Sequence, residues 1–365
     1  MNTVAIKFDA FEDLKNEECQ ERILRAKKAL GNKVVILGHH YQNETVYRHA
    51  DLTGDSLKLA KYVDQLEAKY IVFLGVHFMA EVANILSRAD QITVLPDLSA
   101  GCSMADMANL AKVERTYREL SKVLDFDQTI TPITYINSAA DLKAFCGEHG
   151  GIVCTSTNAP KILDWALQQK EKVLFFPDQH LGRWTGYQSG ISLDEMPIWD
   201  PDLPLGGLDE KTISKAKVLL WKGHCAVHQM FRPEHIKIFR DKYPDGKVIS
   251  HPESPFEVCE NSDFVGSTEY ILNTIKGAKP NTQWLVGTEL NLVNRLANEM
   301  KAEGKLVKFM SHIVCECSTM ARIDPQHLAW TLENILNDKP VNIIEVPKKE
   351  ADLARLALDR MLQVN

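Results

Sequence analysis

In the stretch WKGHCAVH, residues 221–228, Cys225 stands three positions before His228. A thiolate and an imidazole at that spacing suit a metal, but two ligands cannot hold zinc or an iron–sulfur cluster. The remaining ligands must come from elsewhere in the chain. Two other stretches carry cysteines among small and polar neighbours: DLSAGCSMAD with Cys102, and HIVCECSTMA with Cys315 and Cys317. Three thiolates brought together could bind zinc, with His228 as a fourth ligand. They could equally bind a [4Fe–4S] cluster on three of its irons. The fourth iron would then be open, a Lewis acid that grips carboxylate and hydroxyl groups and assists loss of water. Spacing alone leaves zinc and iron both open, and buried thiols without any metal are a third reading.

A second set of reactive groups follows apolar runs. His39, His40 and Tyr41 stand in GHHYQ, Tyr135 and Asn137 in YINS, and His251 and Glu253 in SHPES. Hydroxyls recur where strands give way to helices: Ser56 in TGDS, Ser156 and Thr157 in CTSTNA, Ser267 and Thr268 in VGSTEY. Turn chemistry and helix capping account for each stretch taken singly. The same helix-terminal amides also seat carboxylates and phosphates. Three such seats around one cavity would suit a dicarboxylate, or a carboxylate with a phosphate. Neither GxGxxG nor GxxxxGK[ST] occurs, which disfavours a dinucleotide or a P-loop nucleotide.

The elements that must position these groups read as α/β. KVVILGHHYQ (33–42), YIVFLGVHF (70–78) and ITVLPDLSAGC (92–102) are apolar runs ending in turn residues, with amphipathic helical patterns between them. The order recurs from TPITYINS to KVLFFPDQHLG, and again from KVISHPES to QWLVGTELN. Gly75 to Pro96 spans 21 positions, Thr155 to Pro177 spans 22, and Gly266 to Gly287 spans 21. The pattern predicts three βαβαβ units with parallel sheets, in a pseudo-threefold arrangement around a central site at the strand carboxyl ends. The expected divisions are 20–110, 111–222 and 223–335 for the units, and 336–365 for a C-terminal helical segment. The connection at 183–216 is rich in Gly, Pro and Asp. It reads as a partly ordered loop, either a lid or a surface insertion.

The 365 residues are 45% hydrophobic and 25% charged, with a net charge of −7. That is an ordinary globular composition without the basic surface expected of a nucleic-acid binder. No apolar run reaches the roughly 18 residues of a membrane span. The acidic, mixed N-terminus lacks the order of a signal peptide, so a cytoplasmic location is expected. Eight cysteines without a CxxC pair, in a reducing compartment, argue against structural disulfides and zinc ribbons. Cys146 and Cys259 read as buried helical residues and Cys154 as a strand interior.

In combination, GHHYQ, GDSL, GCSMAD, YINS, TSTNA, PDQHLG, GHCAVH, HPESP, GSTEY and CSTMA resemble the quinolinate synthase family of bacterial NAD biosynthesis, over most of the chain. The resemblance implies a central [4Fe–4S] cluster held by Cys102, Cys225 and Cys317, one from each unit. It implies an enzyme that condenses iminoaspartate with dihydroxyacetone phosphate and releases phosphate and two waters as the pyridine ring closes. It also implies transient contact with an L-aspartate oxidase as a source of iminoaspartate. The substrate-contacting residues it implies are His39, Tyr41, Ser56, Tyr135, Asn137, Ser156, His228, His251, Glu253 and Thr268. Among these, Tyr41, His251 and Glu253 are expected to move protons, Glu253 as a base if burial raises its pKa, with His228 beside them. Some family members carry CxxCxxC near the C-terminus, where this chain has Cys315-Glu-Cys317. The CSTMA context selects Cys317 as ligand and leaves Cys315 unassigned. Two other readings fit the same residues: a zinc enzyme for hydrolysis or aldol chemistry, and an iron–sulfur sensor, which the net charge does not support.

Overall fold

The computed structural model describes residues 4–313 and 316–364. Its thirteen strands form three parallel sheets. The first sheet comprises β1 (Val34–His39), β2 (Leu52–Gly54), β3 (Tyr70–Leu74) and β4 (Ile92–Val94). The second comprises β5 (Ile130–Tyr135), β6 (Ile152–Cys154), β7 (Lys172–Phe176), β8 (Ile198–Trp199) and β9 (Val218–Trp221). The third comprises β10 (Lys247–Ser250), β11 (Phe264–Val265), β12 (Gln283–Gly287) and β13 (Leu306–Phe309). Strands such as β3, β5 and β7 are buried along their whole length. That is why they read as continuous apolar runs rather than alternating ones.

The strand order is β2-β1-β3-β4 in the first sheet, β6-β5-β7-β9-β8 in the second and β11-β10-β12-β13 in the third. All three share one plan. A first strand is joined by a second on one side, then a third on the other, then a fourth beyond it. The direction of winding reverses between the first and third strands. A ligand crevice forms at such a reversal, beyond the carboxyl ends of the strands.

The described residues fall into two compact units, 4–102 with 316–347, and 103–313 with 348–364. The first unit holds the first sheet. The helices Asn16–Leu30 and Pro325–Leu336 are linked there by a two-pronged pairing of Arg22 with Glu333, both contacts at 2.7 Å. The second unit holds the other two sheets. Its C-terminal helix, Lys348–Gln363, buries Ala354, Ala357, Leu358 and Met361. It lies so close to the helix Ala140–Glu148 that a Cβ on Gly147 would meet the Leu353 carbonyl oxygen.

Two sequence expectations change. The three equal spacings do not fall at equivalent places in the sheets. Gly75–Pro96 runs from β3 past β4, whereas Thr155–Pro177 and Gly266–Gly287 run between the second and third strands of their sheets. The cause is β2, three residues of Leu-Thr-Gly, too short and too polar to show as an apolar run. The connection at 183–216 is also not a partly ordered loop. It contributes β8, which pairs with β9 as an added edge strand. Trp199 on β8 is completely buried, and its indole N–H donates to Thr116 Oγ1 at 3.0 Å. Gly206 packs on the Trp199 ring at a positive φ of 64°, where no Cβ would fit. The Leu205 amide donates to Glu119 Oε2 at 2.8 Å. These contacts fix the segment to its sheet rather than leave it to open and close.

Candidate active site

The three first strands end in the same local design. His39 ends β1 and Tyr41 follows it, Tyr135 and Asn137 bracket the end of β5, and His251 and Glu253 follow β10. In two of the three the backbone detail repeats. The Tyr41 amide points to His39 Nδ1 at 3.2 Å, and the Glu253 amide points to His251 Nδ1 at 3.4 Å. Each imidazole therefore accepts at Nδ1 and keeps its proton on Nε2. His39 and Tyr41 pack edge to face, with ring centroids 4.7 Å apart.

The second strands end at the hydroxyls, and here capping can be separated from other uses. Asp55 caps the helix Ser56–Val63 by accepting from the Lys58 amide at 2.9 Å, so Ser56 is not the cap. Ser267 caps the helix Thr268–Gly277 through the Tyr270 amide at 3.3 Å, so Thr268 is not the cap. At the middle unit Asn158 Oδ1 accepts from the Thr155 amide at 2.7 Å, so Asn158 rather than Ser156 holds that turn. Ser56, Ser156 and Thr268 each sit one residue away from the groups doing the structural work.

Within the second unit, Tyr135, His228, His251 and Glu253 come together from both sheets. Glu253 is 3% exposed. Its Oε1 accepts from the Tyr135 hydroxyl at 2.6 Å, and its Oε2 lies 2.9 Å from His228 Nδ1 and 3.9 Å from His251 Nδ1. The His228 and His251 rings are tilted by 30° to one another, with centroids 4.8 Å apart. His228 Nε2 reaches Thr288 Oγ1 at 3.4 Å, at the end of β12. Cys225 and His228 share a turn closed by the Gln229 amide on the Cys225 carbonyl at 2.9 Å. Their three-residue spacing puts both side chains on one side of that turn. Ligand atoms of Cys225, His228 and Glu253 all lie within 4.8 Å of one another.

Charge states follow from these contacts. Burial alone would raise the Glu253 pKa. The adjacent imidazoles of His251 and His228, with hydrogen bonds from His228 and Tyr135, outweigh it and bring the carboxyl down to about 2. The condition set for a Glu253 base, a pKa raised by burial, is not met in this geometry, which favours an ionised carboxylate at neutral pH. Burial lowers His251 to about 3, so its ring is neutral. Asp178 goes the other way. Burial, and then the charge of Glu253, push it well above the usual carboxylate range. Neither Asp178 nor Thr288 was anticipated from sequence. Both follow third strands, β7 and β12, and that shared position is the signal that could have exposed them.

The first unit places Cys102 and Cys317 in loops that share an ion pair. Asp97 accepts from the Ser99 amide at 2.8 Å in the Cys102 loop and from Arg322 Nε at 2.8 Å beyond Cys317. Cys317 Sγ lies 3.3 Å from Thr319 Oγ1. Cys315 lies outside the described residues. In chain order Cys102 follows β4, Cys225 follows β9 and Cys317 follows β13, the fourth strand of the shared plan each time. All three are half-buried, whereas Cys19, Cys146, Cys154 and Cys259 are fully buried.

The model of the quinolinate synthetase A protein family matches residues 21–363. The chain belongs to that family. The quinolinate synthase of Acidobacterium capsulatum is 49% identical over 360 residues, covering 99% of this chain and 96% of the relative. That of Herpetosiphon aurantiacus is 51% identical, covering 97% and 94%. Among solved structures, D-2-hydroxyisocaproate dehydrogenase covers 88% of this chain and 89% of its own at 10% identity. Its TM-score of 0.19 carries no argument. As a member of the quinolinate synthetase A family the chain is an enzyme.

Proposed function

We propose that this enzyme makes quinolinate from iminoaspartate and dihydroxyacetone phosphate, releasing one phosphate and two waters, in the cytoplasmic route to NAD. We further propose that Cys102, Cys225 and Cys317 hold a [4Fe–4S] cluster. The observation that carries this reading is the contrast among thiols. Burial raises the pKa of Cys19, Cys146, Cys154 and Cys259, which disfavours the thiolate a metal requires. The three half-buried cysteines each follow the fourth strand of a sheet, a donor set of the number and kind that leaves one iron open. When bound, the cluster would supply a Lewis acid for substrate hydroxyl and carboxylate groups.

The chain's own residues then divide the work. Ionised Glu253 holds His228 by Nδ1 and keeps Tyr135 in place. His228 and Tyr41 are the groups left to move protons, and neutral His251 donates from Nε2. Ser56, Ser156, Asn137 and Thr268 offer hydrogen bonds to the carboxylates and the phosphate without changing charge, and His39 stands beside them as a further contact. A brief encounter with an L-aspartate oxidase would shorten the exposure of iminoaspartate to water. No described helix is long and apolar enough to cross a membrane. The test is direct: protein purified without oxygen is given dihydroxyacetone phosphate and freshly generated iminoaspartate. Formation of quinolinate and inorganic phosphate in equal amounts is expected. Absence of quinolinate from cluster-containing protein overturns the reading.

A further inference from the structure

We propose that Cys225, His228 and Glu253 form a mononuclear zinc site, filled when the chain lacks its cluster, and that zinc there blocks cluster assembly by holding Cys225. One sulfur, one nitrogen and one oxygen converge within 4.8 Å of one another. On a tetrahedral zinc, bonds of about 2.0–2.3 Å set ligand atoms roughly 3.3–3.7 Å apart. His228 Nδ1 and Glu253 Oε2 are already 2.9 Å apart. The half-buried Cys225 side chain has to move by only about 1 Å to complete the set.

The donors are also held from behind, as metal ligands usually are. Tyr135 fixes the second carboxylate oxygen of Glu253 at 2.6 Å, and Thr288 faces the second nitrogen of His228 at 3.4 Å. A thiolate and a carboxylate balance the charge of one divalent ion, so the buried site is neutral when filled. The mixed donor set suits zinc and excludes magnesium and calcium, which take oxygen ligands. A fourth position stays open to water.

The zinc site stands on this geometry alone; its effect on assembly rests on Cys225 as a cluster ligand. The test uses the full chain freed of iron by chelation under argon and titrated with Co²⁺, whose spectrum reports its ligands. The expected result is one cobalt per chain with a thiolate-to-cobalt charge-transfer band, displaced by one equivalent of zinc. Cys225→Ser should abolish the band, and Glu253→Gln and Thr288→Val should each weaken binding by about tenfold or more. Cys102→Ala and Cys317→Ala should leave it intact. Absence of a stoichiometric site, or cobalt binding that needs Cys102 and Cys317, overturns the proposal. One equivalent of zinc should prevent cluster reconstitution, and a chelator should restore it; unhindered reconstitution overturns the blocking role. Iron and sulfide counts on protein never exposed to chelator test the cluster separately. Cobalt at these three residues in a chain that never carries a cluster would leave the zinc site standing and sink the cluster assignment.

Discussion

Glu253→Gln keeps the shape of the side chain and removes its charge. Two contacts respond differently. The Tyr135 hydroxyl can still donate to the amide oxygen, so that 2.6 Å bond survives. The amide nitrogen then takes the place of Oε2, 2.9 Å from His228 Nδ1, and sets donor against donor. A hydrogen bond to a charged group is worth about 1.5–3 kcal/mol, and a buried donor left without an acceptor costs about 1–3 kcal/mol more. Their sum, about 2.5–6 kcal/mol, appears in the barrier if His228 carries positive charge in the transition state. At about 1.4 kcal/mol per tenfold, kcat should fall roughly 10²- to 10⁴-fold. The assay is quinolinate formed per minute without oxygen, with iron counted on the same sample so that lost cluster is not mistaken for lost chemistry. Activity within about fivefold of wild type at full iron content, well short of that range, would refute the pairing of Glu253 with His228.

Four further outcomes follow from other parts of the chain. Burial, with the charges of Lys27 and Arg48, lowers His49 to about 4. The unfolded chain therefore binds a proton there below about pH 6.5 that the folded chain refuses. Stability from this group is complete above pH 6.5 and lost as pH falls to about 4, at up to about 1.4 kcal/mol per unit. His49→Gln should flatten urea-unfolding stability across that window, and an unchanged slope would contradict it. Arg322→Gln breaks the 2.8 Å pairing with Asp97 that links the Cys102 and Cys317 loops. Iron should leave this variant several-fold faster in the presence of chelator, with circular dichroism unchanged; equal rates of loss would dismiss the link. Trp199→Ala should cost about 3–5 kcal/mol of stability yet preserve kcat at low temperature, whereas lost activity at full stability would restore the lid. Brief alkylation of the native, iron-free chain near pH 8 should modify Cys102, Cys225 and Cys317 but spare Cys146, Cys154 and Cys259, as mass spectrometry of peptides would show.

The fold was legible where strands are long and wholly buried, because such strands cannot alternate. It was not legible at β2, whose three residues left the first repeat out of register with the other two. Residues at the strand carboxyl ends could be picked out because polar, protonatable types there interrupt apolar runs. Their charge states could not. The ionisation of Glu253 depends on Tyr135, 118 positions away, and on His228, which folding brings beside its sequence neighbour His251. Sequence placed the hydroxyls at helix starts but could not say that Asp55 and Ser267 take the capping role. The Gly- and Pro-rich connection suggested a partly ordered loop, because neither its pairing with β9 nor the burial of Trp199 against Thr116 shows in the sequence. Asp178 and Thr288 do not stand out in the sequence, because neither residue type is distinctive until its neighbours are known.

Counting iron and acid-labile sulfide per chain, in protein purified without oxygen and shown to form quinolinate, tests the central claim most directly. The account predicts about four of each, both lost on replacement of Cys102, Cys225 or Cys317. One zinc without sulfide in a chain that still makes quinolinate would contradict it.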